Sequence, residues 1–389
     1  MNRLGIYVQV PFCQTKCTYC NFHTAVVSQA RFAPYVSCVS AEMGRRREFY
    51  AAAGVALPAE IANAVVDTIY IGGGTPSLLD PGHLLSIVAA VRENFAHELL
   101  EVTLEADPET VTDGKAAAWV AAGIDRISFG VQSFCDEELK AAGRMHRRGD
   151  VYRAAGILRA AGIRNISFDL IAGLPKQTRE SWRESLDSLV ELAPEHASVY
   201  LLEVDEGSRL GSELLRGGAR YSAGDVPGDD ELAEFYETAC AVLGRAAYEH
   251  YEISNWARPG LASRHNLKYW RREAYLGFGA GAHSFSGTER WANAHDAAGY
   301  VDALSAGRLP VEQLEKVTPE SALEEELFLG LRQLEGIDVG RIEREYGVSL
   351  DSRFARLSSA GLIERAGSWV RLAPGRVSVS NEVFVELMK

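Results

Sequence analysis

Cys13, Cys17 and Cys20 stand in the run Val10-Pro-Phe-Cys-Gln-Thr-Lys-Cys-Thr-Tyr-Cys-Asn-Phe22, a Cys-x3-Cys-x2-Cys spacing directly after a short apolar stretch. Thiolates are the ligands of iron–sulfur clusters and of zinc. Three of them hold three irons of a 4Fe–4S cluster and leave the fourth iron open to an outside ligand. An open metal position serves chemistry, whereas a closed one serves structure or plain electron transfer. Two other readings of these residues stand beside the cluster. His23, three residues past Cys20, completes a Cys3His set for zinc. Free cysteines also pack as small hydrophobes.

The chemistry needs a scaffold that brings ligands together. Six short apolar runs of β composition lie at 6–10, 66–72, 102–106, 126–132, 165–171 and 198–204. Helical composition fills 31–53, 81–95, 114–122, 137–161 and 179–192 between them. Gly123 and Gly162 follow two of these segments and mark helix ends. Strands alternating with helices make a parallel sheet, and near-continuous apolar strands mean that both faces are covered. Six such units form either an open doubly wound sheet or a partial barrel. Ligands belong at the carboxyl ends of the strands in both.

Polar residues fall at those ends. They are Gly72-Gly-Gly-Thr-Pro-Ser77, Glu105-Ala-Asp-Pro108, Gly130-Val-Gln-Ser133, Asp169 with Gly173-Leu-Pro175, and Glu203. Each alone reads as a turn. Together, next to a triple-cysteine loop, they describe one ligand-facing mouth, which favours the cluster over zinc.

Composition narrows the classes. A net charge of −13 over 389 residues argues against a general nucleic-acid binder. Three clustered and three scattered cysteines (Cys38, Cys135, Cys240) are no disulfide framework, so a reducing cytoplasm is expected. The first strand begins within six residues of Met1, which is read as leaving no signal peptide, and no apolar run reaches membrane-span length.

The cysteine run with Tyr19 ahead of its last member, followed by Gly-Gly-Gly-Thr-Pro, resembles the radical S-adenosylmethionine (SAM) superfamily. Three further segments resemble its HemN/HemW branch: Gly123-Ile-Asp-Arg-Ile-Ser-Phe-Gly-Val-Gln-Ser-Phe134, Gly143-Arg-Met-His146, and Asn165-Ile-Ser-Phe-Asp-Leu-Ile-Ala-Gly-Leu-Pro-Lys-Gln-Thr178. That resemblance implies an α/β fold, a partial (β/α)6 barrel. It implies a 4Fe–4S cluster on Cys13, Cys17 and Cys20, with SAM on the open iron. SAM contacts then fall to Tyr7, Tyr19, Phe22, Gly73, Gly74, Thr75, Glu105, Gln132, Arg144 and Asp169, with Arg144 suited to a carboxylate and Asp169 to a ribose hydroxyl. Ion pairing within the barrel is the other reading of Arg144 and Asp169.

The branch holds oxygen-independent coproporphyrinogen III oxidases and HemW-like heme chaperones. The oxidases carry a fourth cysteine where this chain has Phe22, and a long amino-terminal extension where only twelve residues precede Cys13. Both departures match the HemW-like pattern. His265-Asn-Leu-Lys-Tyr-Trp270 resembles that group's proposed heme signature, which makes His265, Tyr269 and Trp270 heme candidates. His283, His250 and His146 are rival ligands, and packing between domains is the plain alternative for the segment.

Three regions are expected: a barrel at 1–215, a linker and extension at 216–310 lying outside it, and a winged-helix-like α+β module at 311–389. In the module three helices at 320–334, 339–346 and 350–360 precede a two-stranded wing at 361–365 and 368–372. From 310 onward fourteen Asp and Glu face ten Lys and Arg, a net −4 that phosphates would repel. The expectation is a cytoplasmic heme chaperone that hands heme to acceptor proteins. A coproporphyrinogen oxidase and a related heme-modifying radical enzyme are the alternatives.

Overall fold

The computed structural model describes residues 2–387. Six strands pair in chain order and in parallel: β1 (Arg3–Val10), β2 (Val65–Gly73), β3 (His97–Ala106), β4 (Arg126–Gln132), β5 (Asn165–Ala172) and β6 (His196–Leu201). Alternation along each strand sorts its side chains. Leu4, Ile6, Val8 and Val10 are buried in the main hydrophobic core, with Met43, Leu84 and Val88 of the covering helices. Tyr7 points the other way, stacked on Tyr70 with ring centres 6.0 Å apart. The strands thus enclose a polar lumen. β6 starts two residues before the sequence pattern at 198–204 and ends three residues before its end, at Leu201; Leu202 N–H donates to the Ala172 carbonyl at 2.8 Å.

The stretch expected outside the barrel instead widens it. β7 (Glu249–Glu252) and β8 (Asn255–Ala257) form a hairpin whose second strand pairs antiparallel with β6. β9 (Tyr275–Phe278) runs parallel to β1 and leads outward to β10 (His283–Phe285), β11 (Glu289–Asn293) and β12 (Val311–Lys316). One twelve-stranded sheet results. The physical reason is the edge: β1 and β6 would otherwise each present a row of unpaired backbone groups.

One helix expected at 137–161 is two, Asp136–Ala141 and Arg148–Ala161. Gly143 breaks it at φ 77°, and the Thr18 N–H takes the Ala142 carbonyl at 2.9 Å. The break ties this segment to the cysteine loop and places Arg144 beside it.

The carboxyl-terminal module has its own core, with Leu327, Leu331, Ile342, Phe354, Val370 and Phe384 at its centre. Helices Pro319–Arg332, Val339–Tyr346 and Asp351–Ser359 precede the wing strands β14 (Ile363–Ala366) and β15 (Trp369–Leu372). Two parts lie beyond the sequence reading. β13 (Ile337–Asp338) is a third strand against β15, and helix Ser380–Leu387 closes the module. The module meets the barrel through Arg272–Glu325 at 3.0 Å and Arg332–Glu252 at 3.4 Å. Among the described residues, no helix is long and apolar enough to cross a membrane.

Candidate functional site

A cavity of about 650 Å³ opens at the carboxyl ends of the barrel strands. Cys13, Cys17, Cys20, Tyr19, Phe22, Gly73, Gly74, Thr75, Glu105, Gln132, Arg144 and Asp169 all line it. Tyr7 is not in its wall. It lies among the lumen side chains, its hydroxyl donating to Gln9 Oε1 at 2.7 Å.

The glycine run holds the cysteine loop in place. Gly74 N–H donates to the Val10 carbonyl at 2.9 Å, and Thr75 N–H to the Phe12 carbonyl at 2.7 Å. A Cβ on Gly74 would stand 2.6 Å from the Phe12 oxygen, so only glycine lets these two backbones meet. Gly73 N–H donates to Glu105 Oε2 at 2.9 Å. What this run offers a ligand is therefore not its N–H groups as they stand.

Glu105 also accepts from Tyr70 Oη at 2.9 Å. Burial in the lumen pushes its carboxyl up to about 7, against the two hydrogen bonds that favour the charged form. A ligand ammonium would supply the missing countercharge. Asp169 accepts from Ser198 at 2.7 Å, Ser128 at 3.2 Å and Ser167 at 3.3 Å. Gln132 sits at φ 66° after a register shift against β5, which turns its side chain inward; its Oε1 has no partner among the described residues.

Arg144 reaches Cys17 Sγ at 3.6 Å and donates to the Gly130 carbonyl at 2.6 Å and to Asp107. Thr75 Oγ1 donates to the same Asp107 at 3.2 Å. Asp107 thus links the glycine run to the arginine, a role the sequence reading did not assign. Its position two residues past Glu105, on the same face of an extended strand end, was the available signal. Arg126 was also missed. It lines the cavity yet is only 1% exposed, and its Nε and Nη1 have no partner among the described residues.

Cys13, Cys17 and Cys20 are free thiols, a ligand type that both a 4Fe–4S cluster and zinc accept. Among the described residues no group of three or more His, Cys, Asp or Glu side chains is gathered to hold one metal ion. A cubane assigns each thiolate to a different iron, so its ligands stand farther apart than those of one zinc. His23 does not join the cysteines; its ring stacks on His295 at 3.8 Å.

The heme candidates lie elsewhere. Helix Arg264–Trp270 sits across the lumen from the mouth, capped by Glu101, which accepts from the backbone of Arg264 at 2.9 Å and of His265 at 3.0 Å. His265 is fully buried: one ring nitrogen meets Thr68 Oγ1 at 2.9 Å and the other Tyr269 Oη at 2.8 Å. Burial lowers its pKa to about 3. Both nitrogens are engaged, so iron ligation by His265 requires one of these bonds to open. Trp270 lies under the Arg332 guanidinium at 4.6 Å, against the carboxyl-terminal module. Of the rivals, His146 is buried with Nε2 3.0 Å from the Val131 carbonyl, and His250 stacks on Trp256 at 4.0 Å. His283 is exposed on β10.

Comparison with known proteins bears on the whole arrangement. The model of the radical SAM superfamily matches residues 7–189, and that of the HemN C-terminal domain matches 317–375. The chain is 34% identical to the heme chaperone HemW of Bacillus subtilis over 97% of both chains. It is 34% identical to heme chaperone HemW of Mycobacterium tuberculosis, over 93% of this chain and 89% of the other. In structure it resembles the coproporphyrinogen III oxidase HemN of Escherichia coli, with a TM-score of 0.84 over 99% of this chain and 90% of that one. At 21% identity that likeness speaks for the fold alone. The first of these alignments spans barrel, extension and module, and the chain belongs to the HemW family of the radical SAM superfamily.

Proposed function

We propose that this chain is a heme chaperone that carries a 4Fe–4S cluster and SAM, binds heme and passes it to acceptor proteins. The observation that carries the reading is the 34% identity to a HemW heme chaperone from end to end. Phe22, at the position of the oxidases' fourth motif cysteine, points the same way.

Cys13, Cys17 and Cys20 would hold the cluster and Glu105, Gln132, Arg144 and Asp169 the SAM. When bound, the cluster supplies single electrons next to the SAM sulfonium. The protein's own contribution is orientation. Gly74 and Thr75 fix the cysteine loop, and Arg144 places positive charge 3.6 Å from Cys17 Sγ. Glu105 would face a ligand ammonium, and Asp169, which accepts from three serine hydroxyls, would accept from a ligand hydroxyl in the same way. We place the protein in the cytoplasm, where free thiols and such a cluster persist.

The test separates chaperone from oxidase. Cluster-loaded protein is incubated anaerobically with coproporphyrinogen III, SAM and a reductant, and the porphyrins are chromatographed. No protoporphyrinogen is expected. Its formation at catalytic turnover would replace the chaperone reading by the oxidase.

A further inference from the structure

A heme carrier needs a metal ligand that heme can reach and leave. His265 offers no free ring nitrogen and no exposed edge. A second set of imidazoles lies on the cysteine loop side of the sheet. His295, just after β11, packs against the turn at Gly281, where a Cβ would stand 2.9 Å from its Nδ1. His23 stacks on the outer face of that ring, with centroids 3.8 Å apart and planes 25° from parallel. Neither ring has a hydrogen-bond partner among the described residues, and His295 Nδ1 is buried without one. The arrangement is layered: backbone, His295, His23, then solvent.

The surroundings suit a porphyrin. Phe22 and Val26, on either side of His23 in the loop, are 66% and 60% exposed, large apolar side chains with nothing over them. Phe22 also lines the cavity mouth. The loop is anchored at its base, since Cys13 N–H donates to the Ala25 carbonyl at 3.0 Å and Ala25 N–H to the Pro11 carbonyl at 2.7 Å. Burial first, then His295 and Lys16 nearby, hold His23 below the usual imidazole range, with Glu312 opposing them. A neutral imidazole is a common axial ligand of heme iron, and aromatic and aliphatic area covers the macrocycle.

We propose that heme docks on the exposed face of Phe22 and Val26 with His23 as its iron ligand, His295 bracing the ligating ring from behind. This rests on the chaperone reading above. It places the cargo on the rim of the cavity, beside the cysteine loop, and leaves His265 as a packing residue of the lumen. An exposed ligand on a tethered loop also allows release, which burial would slow.

The test is a titration of cluster-loaded protein with ferric heme, followed in the Soret band and by electron paramagnetic resonance. In H23A the affinity is expected to fall at least tenfold and the imidazole-ligated signature to vanish, with added imidazole restoring it. H295A should weaken binding while keeping the signature, as a positioning residue would. H265A should keep the signature. Wild-type affinity and spectrum in H23A would overturn the assignment, as would loss of the signature in H265A alone. A wild-type protein with no saturable heme binding would instead overturn the chaperone reading itself.

Discussion

Cys17→Ala is expected to abolish assembly of the proposed cluster. Reconstituted under anaerobic conditions, the wild-type chain should take up about four irons and show broad visible charge-transfer absorbance. The variant should show neither beyond loosely bound iron. The effect is near complete because only three cysteines face the cavity; the other three, Cys38, Cys135 and Cys240, are not among its lining residues and cannot substitute. The fold should survive, since Cys17 lies partly exposed on a loop and contributes no core packing. Far-ultraviolet circular dichroism and iron content, measured on the same sample, check both halves. Retention of a full cluster in the variant would remove Cys17 from the ligand set.

The second large effect is on SAM. With Glu105 at about 7, its carboxyl is mostly neutral at pH 6 and mostly ionised at pH 8. A cationic ammonium binds the ionised form, so SAM affinity should rise with pH, by about tenfold between pH 6 and 8. The sign follows from linkage: the free protein holds the proton that the complex must lose. Glu105→Gln removes the charge; its amide oxygen still accepts from Gly73 N–H, while its NH2 group donates to Tyr70 Oη in place of the bond the tyrosine now donates. Losing a charge-assisted contact costs about 1.5–3 kcal/mol, or roughly one to two orders of magnitude in affinity. In the variant this pH dependence should disappear. Calorimetric titration at several pH values measures both, and an unchanged pH slope in Glu105→Gln would sink the role given to this residue.

The parts of the molecule legible in the sequence are those where burial dictates residue type. Parallel strands covered on both faces must be apolar, so β2, β4 and β5 stand close to where their composition places them; β1 and β3 begin three and five residues earlier, at Arg3 and His97, polar residues that composition does not mark as strand. The end of β6 was read three residues late because Leu202 and Val204 continue the apolar pattern after the strand has ended at Leu201. The break at Gly143 was hidden inside helix-forming composition, since the chain leaves the helix to meet a loop more than a hundred residues away. β7 to β11 were invisible for a related reason: at three to five residues each, they owe their existence to the edges they cover.

The mouth of the cavity followed the same logic. Cysteines and glycines are unusual enough to be noticed, and the strand-end rule placed Glu105, Gln132 and Asp169 beside them. Arg126 escaped because it sits at the start of β4, far in sequence from the strand end that drew attention; Asp107 stood in plain view beside Glu105 but reads on its own as the start of a turn before Pro108. The segment His265–Trp270 shows the limit most clearly. Its residue types suit heme, and its family resemblance is specific. Yet where the helix sits, between lumen and module, is decided by Glu101, Thr68 and Arg332, which are far away in sequence.

The measurement that tests the central claim most directly is heme transfer. Cluster-bearing protein loaded with one heme is mixed with a heme-free membrane-bound respiratory cytochrome. Appearance of heme in the cytochrome is compared with its loss to a passive scavenger. Transfer to the cytochrome is expected to be faster than spontaneous loss, with a rate that rises with acceptor concentration. Heme arriving no faster than it dissociates, whatever the acceptor concentration, would contradict it.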